Sequence, residues 1–203
     1  YDSYELVNDS NNLVEYYEDV WFNLVVENVG TYNTNAITVN VSSDDEYISM
    51  IDSSSGIAYA IVGETATTEI PMSFSVAGDV PNGHIAQFES VLNDGANEWN
   101  ITFGIEVHAP VFEILNPTIV DENMDGIWDA GETAIIHVDL VNSGSAPFWQ
   151  YPGAMIYTDN AYVEILSNDV ANTFYAIESN TSYEGSFLVK ADESSPLSTE
   201  VNF

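Results

Sequence analysis

The segment Asp121-Glu122-Asn123-Met124-Asp125-Gly126-Ile127-Trp128-Asp129-Ala130-Gly131-Glu132 places oxygen-bearing side chains at alternate positions and closes on a glutamate. It fits the loop pattern D-x-[DN]-x-[DN]-G-x5-E at every specified position. That pattern suits Ca2+, a hard cation that takes six to eight oxygen ligands at about 2.3–2.6 Å. Asp121, Asn123 and Asp125 would converge on the ion, and Gly126 would permit the sharp reversal. Ile127 would offer its backbone carbonyl, Asp129 an oxygen directly or through water, and Glu132 both carboxylate oxygens. Magnesium demands a smaller, stricter octahedron, and transition metals favour His or Cys. The chain has no Cys at all, so neither a disulfide nor a thiolate site can brace it.

The elements around this loop read as strands, not as the helices of an EF-hand. Asn116-Pro117-Thr118-Ile119-Val120 precedes it and Thr133 to Val141 follows. Apolar residues recur at every second position in Ile136, Val138 and Leu140, and again in Phe22, Leu24 and Val26, as they do in half-buried strands. A loop held between strands cannot open a helix pair, so a structural metal is expected rather than a sensor.

The chain also repeats itself at an offset of about 114 residues. Val20 to Gly30 aligns with Ala134 to Gly144, and both end in an Asn-x-Gly turn. Asp44 to Ile51 aligns with Asp159 to Leu166, and Ser73-Phe74-Ser75-Val76 with Ser186-Phe187-Leu188-Val189. The reading is all-β: two tandem immunoglobulin-like antiparallel β-sandwiches, residues 1–108 and 109–203, joined near His108-Ala109-Pro110. The first copy of the loop is shorter and poorer in charge. Asn8, Ser10, Asn12, Glu15 and Glu18 stand opposite Asp121, Asn123, Asp125, Asp129 and Glu132, which predicts a weaker metal site or a plain polar loop. In the first module the segment matching Pro196–Phe203 continues into a final strand from about Trp99 to Val107, which the second lacks. Two readings stand: the chain is a fragment, or a neighbouring subunit donates the strand.

An extended strand, then D-x-N-x-D-G-x-x-D-x-G-E-T, then a strand ending in L-x-N-x-G and a D-x-x-Y-V-x-I strand occupy Asp121 to Leu166. This series resembles the calcium-binding immunoglobulin-like modules of large secreted or cell-surface proteins and secreted peptidases of marine and Bacteroidetes-type bacteria. The first module keeps the strands and departs at the loop. The resemblance implies an extracellular location and a role as spacer, stalk or adhesive repeat, with neighbouring modules or subunits as partners.

Composition narrows the partners further. With 33 acidic side chains against one basic, the net charge is −32, and only Lys190 could meet a phosphate. Nucleic acid and anionic membranes are therefore excluded as partners. At 45% hydrophobic the chain is nevertheless too apolar for a disordered acidic tail. No G-x-S-x-G, H-E-x-x-H or Cys nucleophile is present, so an enzyme is not expected. The alternative is a carbohydrate-binding accessory module. Phe148-Trp149-Gln150-Tyr151-Pro152 falls in a connection, and Phe148, Trp149 and Tyr151 could stack on a glycan or contact another surface protein.

Overall fold

The computed structural model describes residues 1–7, 10–149, 155–167 and 176–203. Among these there is no helix, and the chain divides into two compact units, Tyr1–Ala109 and Pro110–Phe203. The boundary lies one residue from the expected one. It falls at Pro110, which has no N–H to donate to a ladder.

The first unit is a β-sandwich. One sheet is built from β1 (Ser3–Val7), β3 (Asp19–Glu27), β8 (Met72–Val76) and β5 (Ile48–Asp52) in that order, with β7 (Thr65–Thr67) also on β3. The other runs β2 (Val14–Glu15), β10 (Glu98–His108), β9 (His84–Asn93), β4 (Ile37–Ser42) and β6 (Ser54–Ile57). The strand pairings are antiparallel except the short parallel contact of β2 with β10, and an isolated parallel bridge joins Asn28 to Val62. The alternation seen in the sequence sends Phe22, Leu24 and Val26 of β3 inward, where they meet Phe88 of β9 and Phe103 of β10. Four phenylalanines form the centre: Phe22 and Phe74 meet edge-on at 5.7 Å, and Phe88 stacks on Phe103 at 5.3 Å. Such ring pairs add about 0.5–1.5 kcal/mol each beyond the area they bury.

The second unit repeats the four-strand path of the first of these sheets, without a counterpart of β7 among the described residues. β11 (Phe112–Asp121), β12 (Thr133–Asn142), β14 (Thr181–Ala191) and β13 (Val163–Ser167) lie in the order β11-β12-β14-β13, matching β1-β3-β8-β5. Its buried face is Ala134, Ile136 and Val138 of β12 with Phe187 and Val189 of β14, covered by Trp128 and Ile156. Among the described residues no second sheet faces it; outside the four strands there is an isolated bridge between Phe148 and Ile177. On β11 the core face is left open. Ile114 pairs with Leu140 and Ile119 with Ile136, so they share the core face, yet they are 61% and 49% exposed. Leu6, which pairs with Phe22 in the first unit, is half-buried against the core, and Tyr4 of the same strand lies 6.4 Å from Phe103.

The repeated Asn-x-Gly turn has a shared role. Asn28 Oδ1 accepts the Gly30 N–H, while its amide donates to the carbonyls of Tyr32 and Ala60. Asn142 Oδ1 accepts the Gly144 N–H, while its amide donates to Ala146 and Ile177. Each asparagine clasps the end of its strand to a distant segment, satisfying backbone groups that the ladder leaves over.

Candidate metal centre

Asp121 is the last residue of β11 and pairs with Ala134 of β12, so the loop from Glu122 to Glu132 is a long hairpin connection between adjacent strands. Asp121 is 94% buried at its base, at 6% exposure. A buried carboxylate needs donors, and it has them: Oδ2 accepts the Asp125 N–H at 3.0 Å and Oδ1 the Gly126 N–H at 3.3 Å. Asn123 Oδ1 accepts the same Asp125 N–H at 2.9 Å, and Asp125 Oδ1 accepts that of Ile127 at 2.9 Å. This succession of turns winds the chain around its own side-chain oxygens. Gly126 sits at φ +87° and Gly131 at +88°, in the left-handed region, and Met124 joins them at +62°. A Cβ on Gly126 would meet nothing within 4 Å, so backbone conformation and not space explains the glycine.

Glu132 closes the loop. Its Oε1 accepts the Asn123 amide at 2.7 Å and its Oε2 the Asp129 N–H at 3.0 Å. All six expected ligand residues thus belong to one hydrogen-bonded loop: Asp121, Asn123, Asp125 and Glu132 through side chains, Ile127 and Asp129 through their N–H groups. Two residues outside the expected set hold it in place. Trp128 donates its indole N–H to the Glu132 carbonyl at 3.0 Å and packs on the core of the unit. Glu122 accepts from both the N–H and the hydroxyl of Thr133, pinning the start of β12. The motif leaves both positions unconstrained, which is why sequence reasoning passed over them.

The donor set is entirely oxygen, three aspartates, one glutamate, an amide and a carbonyl, which fits a hard divalent cation. Among the described residues no three His, Cys, Asp or Glu side chains converge closely enough to hold a metal ion. The carboxylates here are turned instead to N–H groups, and the Asn123 amide occupies one oxygen of Glu132.

The first-unit loop keeps one element of this arrangement. Glu18 Oε2 accepts the Glu15 N–H at 2.9 Å, the counterpart of the Glu132 to Asp129 contact. Glu15, however, is drawn into β2 beside His108 of β10, and Ser10 and Asn12 are exposed. Asn12, opposite Asp125, adopts φ +57°. Asn8 lies outside the described residues.

Of the aromatic cluster, Phe148 is committed to packing. Its ring meets Phe112 edge-on at 5.1 Å and its backbone exchanges hydrogen bonds with Ile177. Trp149 is exposed, and Tyr151 lies outside the described residues. Two histidines pair with acids: His84 Nε2 with Asp45 Oδ2 at 2.8 Å, and His137 Nδ1 with Glu184 Oε1 at 3.0 Å. Burial alone pushes the Asp45 carboxyl up, but the Tyr47 N–H and the His84 ring outweigh it and hold it below the usual carboxylate range. Compared with known proteins, the chain matches no family model and none of the curated proteins.

Proposed function

We propose that the chain is a tandem structural or adhesive module of a secreted or cell-surface protein, stabilised by calcium. The observation that carries this reading is the hairpin loop Glu122–Glu132, wound around its own oxygens and anchored to the sheet by buried Asp121 and by Trp128. Asp121, Asn123, Asp125, Asp129 and Glu132 would hold the ion through side chains and Ile127 through its carbonyl. When bound, the cation supplies the positive charge that offsets repulsion among four carboxylates in a chain with one lysine. Sites of this kind in extracellular modules bind at about 10⁻⁴–10⁻³ M, within reach of extracellular calcium.

Melting in 10 mM calcium against excess EGTA tests the reading. With a Kd of about 10⁻⁴ M, that concentration stabilises by about 2.7 kcal/mol, which for a unit of this size raises Tm by about 10 °C or more. Glu132→Gln should remove most of the rise. An equal Tm in both conditions, with metal removal verified, overturns calcium stabilisation.

Assembly by strand addition is the accompanying expectation, supported by the uncovered Ile114 and Ile119 on the core face of β11. Sedimentation over a concentration series checks it: a species monomeric throughout refutes assembly between copies.

A further inference from the structure

At one end of the first unit's sandwich, the segment after β3 and the turn joining β9 to β10 line a common groove of about 500 Å³. That volume lies within the roughly 300–1,000 Å³ of small-ligand sites. Trp99 opens onto it for a reason set by register. It pairs with Leu92 across the β9–β10 ladder and so points to the inner face, but near the last rung, beyond the phenylalanine centre. Its ring is 39% exposed, a large apolar surface left partly in water. Across the lining stands Tyr32, 84% exposed, its backbone held by the Asn28 clasp.

The polar lining is amide-rich and prearranged. Asn33, in the lining, spends its carbonyl oxygen on the Val62 N–H at 3.0 Å, so its amide has N–H groups to offer a ligand. Asp94, nearly buried, accepts the N–H groups of Ala96 and Asn97 and the Asn97 amide, fixing the turn and the Asn97 side chain with it. Those N–H groups hold the Asp94 carboxyl below the usual carboxylate range, so its charge persists at neutral pH.

The occupant follows from these groups. Glu27 and Asp94 line the groove and no Lys, Arg or His does, so an anion would meet uncompensated repulsion. A purely apolar ligand would strip water from several amides without replacing their hydrogen bonds. A ligand with flat faces of C–H groups and a rim of uncharged hydroxyls satisfies both requirements, since aromatic faces carry negative charge density that attracts C–H edges. We propose that this groove binds a neutral oligosaccharide, with sugar rings stacked on Trp99 and Tyr32 and hydroxyls hydrogen-bonded by Asn33 and Asn97. The site takes up the carbohydrate-binding alternative at a place distinct from Phe148, Trp149 and Tyr151, and is independent of the calcium loop.

Calorimetric titration of the full chain with cellohexaose, xylohexaose and mannohexaose tests the proposal, with hexagalacturonate as the anionic counterpart. At least one neutral hexasaccharide should bind, equally in calcium and in EGTA, and hexagalacturonate should not. Trp99→Ala should weaken binding at least about tenfold, Tyr32→Ala should weaken it severalfold, and Trp149→Ala should leave it unchanged. Tyr32 is so exposed that its replacement leaves the fold intact, which keeps the test valid if Trp99→Ala unfolds. Absence of neutral binding up to about 10 mM overturns the proposal, as does wild-type affinity in Tyr32→Ala or in a folded Trp99→Ala, or equal binding of hexagalacturonate. Calcium stabilisation and sugar binding are read separately, by Tm and by heat of titration, so either can fail alone.

Discussion

Replacing Asn142 by Ala probes the clasp on which the second unit depends. The side chain is fully buried, at 0% exposure, and makes four hydrogen bonds, all to backbone groups. They are not equal. The Ile177 carbonyl also accepts the Phe148 N–H and stays satisfied. Val111 is exposed, so its N–H can turn to water. The Gly144 N–H and the Ala146 carbonyl lie in buried residues and lose the partner that Asn142 provides. Each such orphan costs about 1–3 kcal/mol, and the two solvated or shared bonds about 0.5 kcal/mol each, for a total of about 3–7 kcal/mol. Asn28→Ala in the first unit breaks three bonds at a half-buried position and should cost less, about 1–3 kcal/mol. Urea unfolding followed by fluorescence reads each unit separately: Trp128 reports on the second when Trp21, Trp99 and Trp149 are replaced by Phe, and Trp21 and Trp99 report on the first when Trp128 and Trp149 are replaced. A cost below about 1 kcal/mol for Asn142→Ala, or a larger cost for Asn28→Ala, would refute the account of the turn as a buried clasp.

Three further outcomes are expected. Gly126→Ala introduces no clash but forces a left-handed conformation on a residue with a Cβ, costing about 1–2 kcal/mol; calcium titration should show about tenfold weaker binding, and an unchanged affinity would remove Gly126 from the loop's design. Trp128→Phe keeps most of the packing but loses the bond to the Glu132 carbonyl, so apparent calcium affinity should fall while the first unit's unfolding midpoint stays put. The depressed carboxyl of Asp45 contributes stability that is present above the unfolded value of about 3.9 and disappears as pH falls through the lower folded value. Asp45→Asn should flatten that part of the first unit's acid transition; an identical acid profile would show the His84 pair and the Tyr47 N–H to be energetically idle.

What the sequence revealed and what it hid divide by range. Alternation in Phe22, Leu24 and Val26 and in Ile136, Val138 and Leu140 identified strands because burial on one sheet face imposes a period of two on the chain itself. The repeat aligned β3 with β12 and β8 with β14 for the same reason. Order within the sheets was not legible: β10 lies between β2 and β9 through pairings that no local pattern encodes. Short elements such as β6, rich in serine, and the two-residue β2 carry too few side chains to show a period. At the loop, spacing picked out six residues that fall within one hydrogen-bonded connection, since its turns are closed by neighbours two to five positions apart. The same local reasoning treated Phe148 as an exposed platform, because its packing partners Phe112 and Ile177 are both remote in sequence. Tyr32 and Trp99 were missed as a pair on the same ground.

The charge explains why these turns dominate the polar chemistry. In most chains Lys and Arg meet the carboxylates; here one lysine stands against 33 acids, so acids that come near the interior must find another source of positive potential. Among the described residues two carboxylates pair with a histidine ring, Asp45 with His84 and Glu184 with His137. Four other buried or half-buried acids turn to backbone N–H groups, Asp94 to Ala96 and Asn97, Asp121 to Asp125 and Gly126, Glu132 to Asp129 and Glu18 to Glu15, while Asp139 accepts the Asn116 amide. Such N–H groups satisfy oxygen lone pairs but carry only partial charge, and they leave the net repulsion of a −32 chain in place. A loop that gathers Asp121, Asp125, Asp129 and Glu132 in one connection adds to that repulsion unless a cation offsets it. Calcium held in the loop, as proposed above, would take there the part that basic side chains play elsewhere.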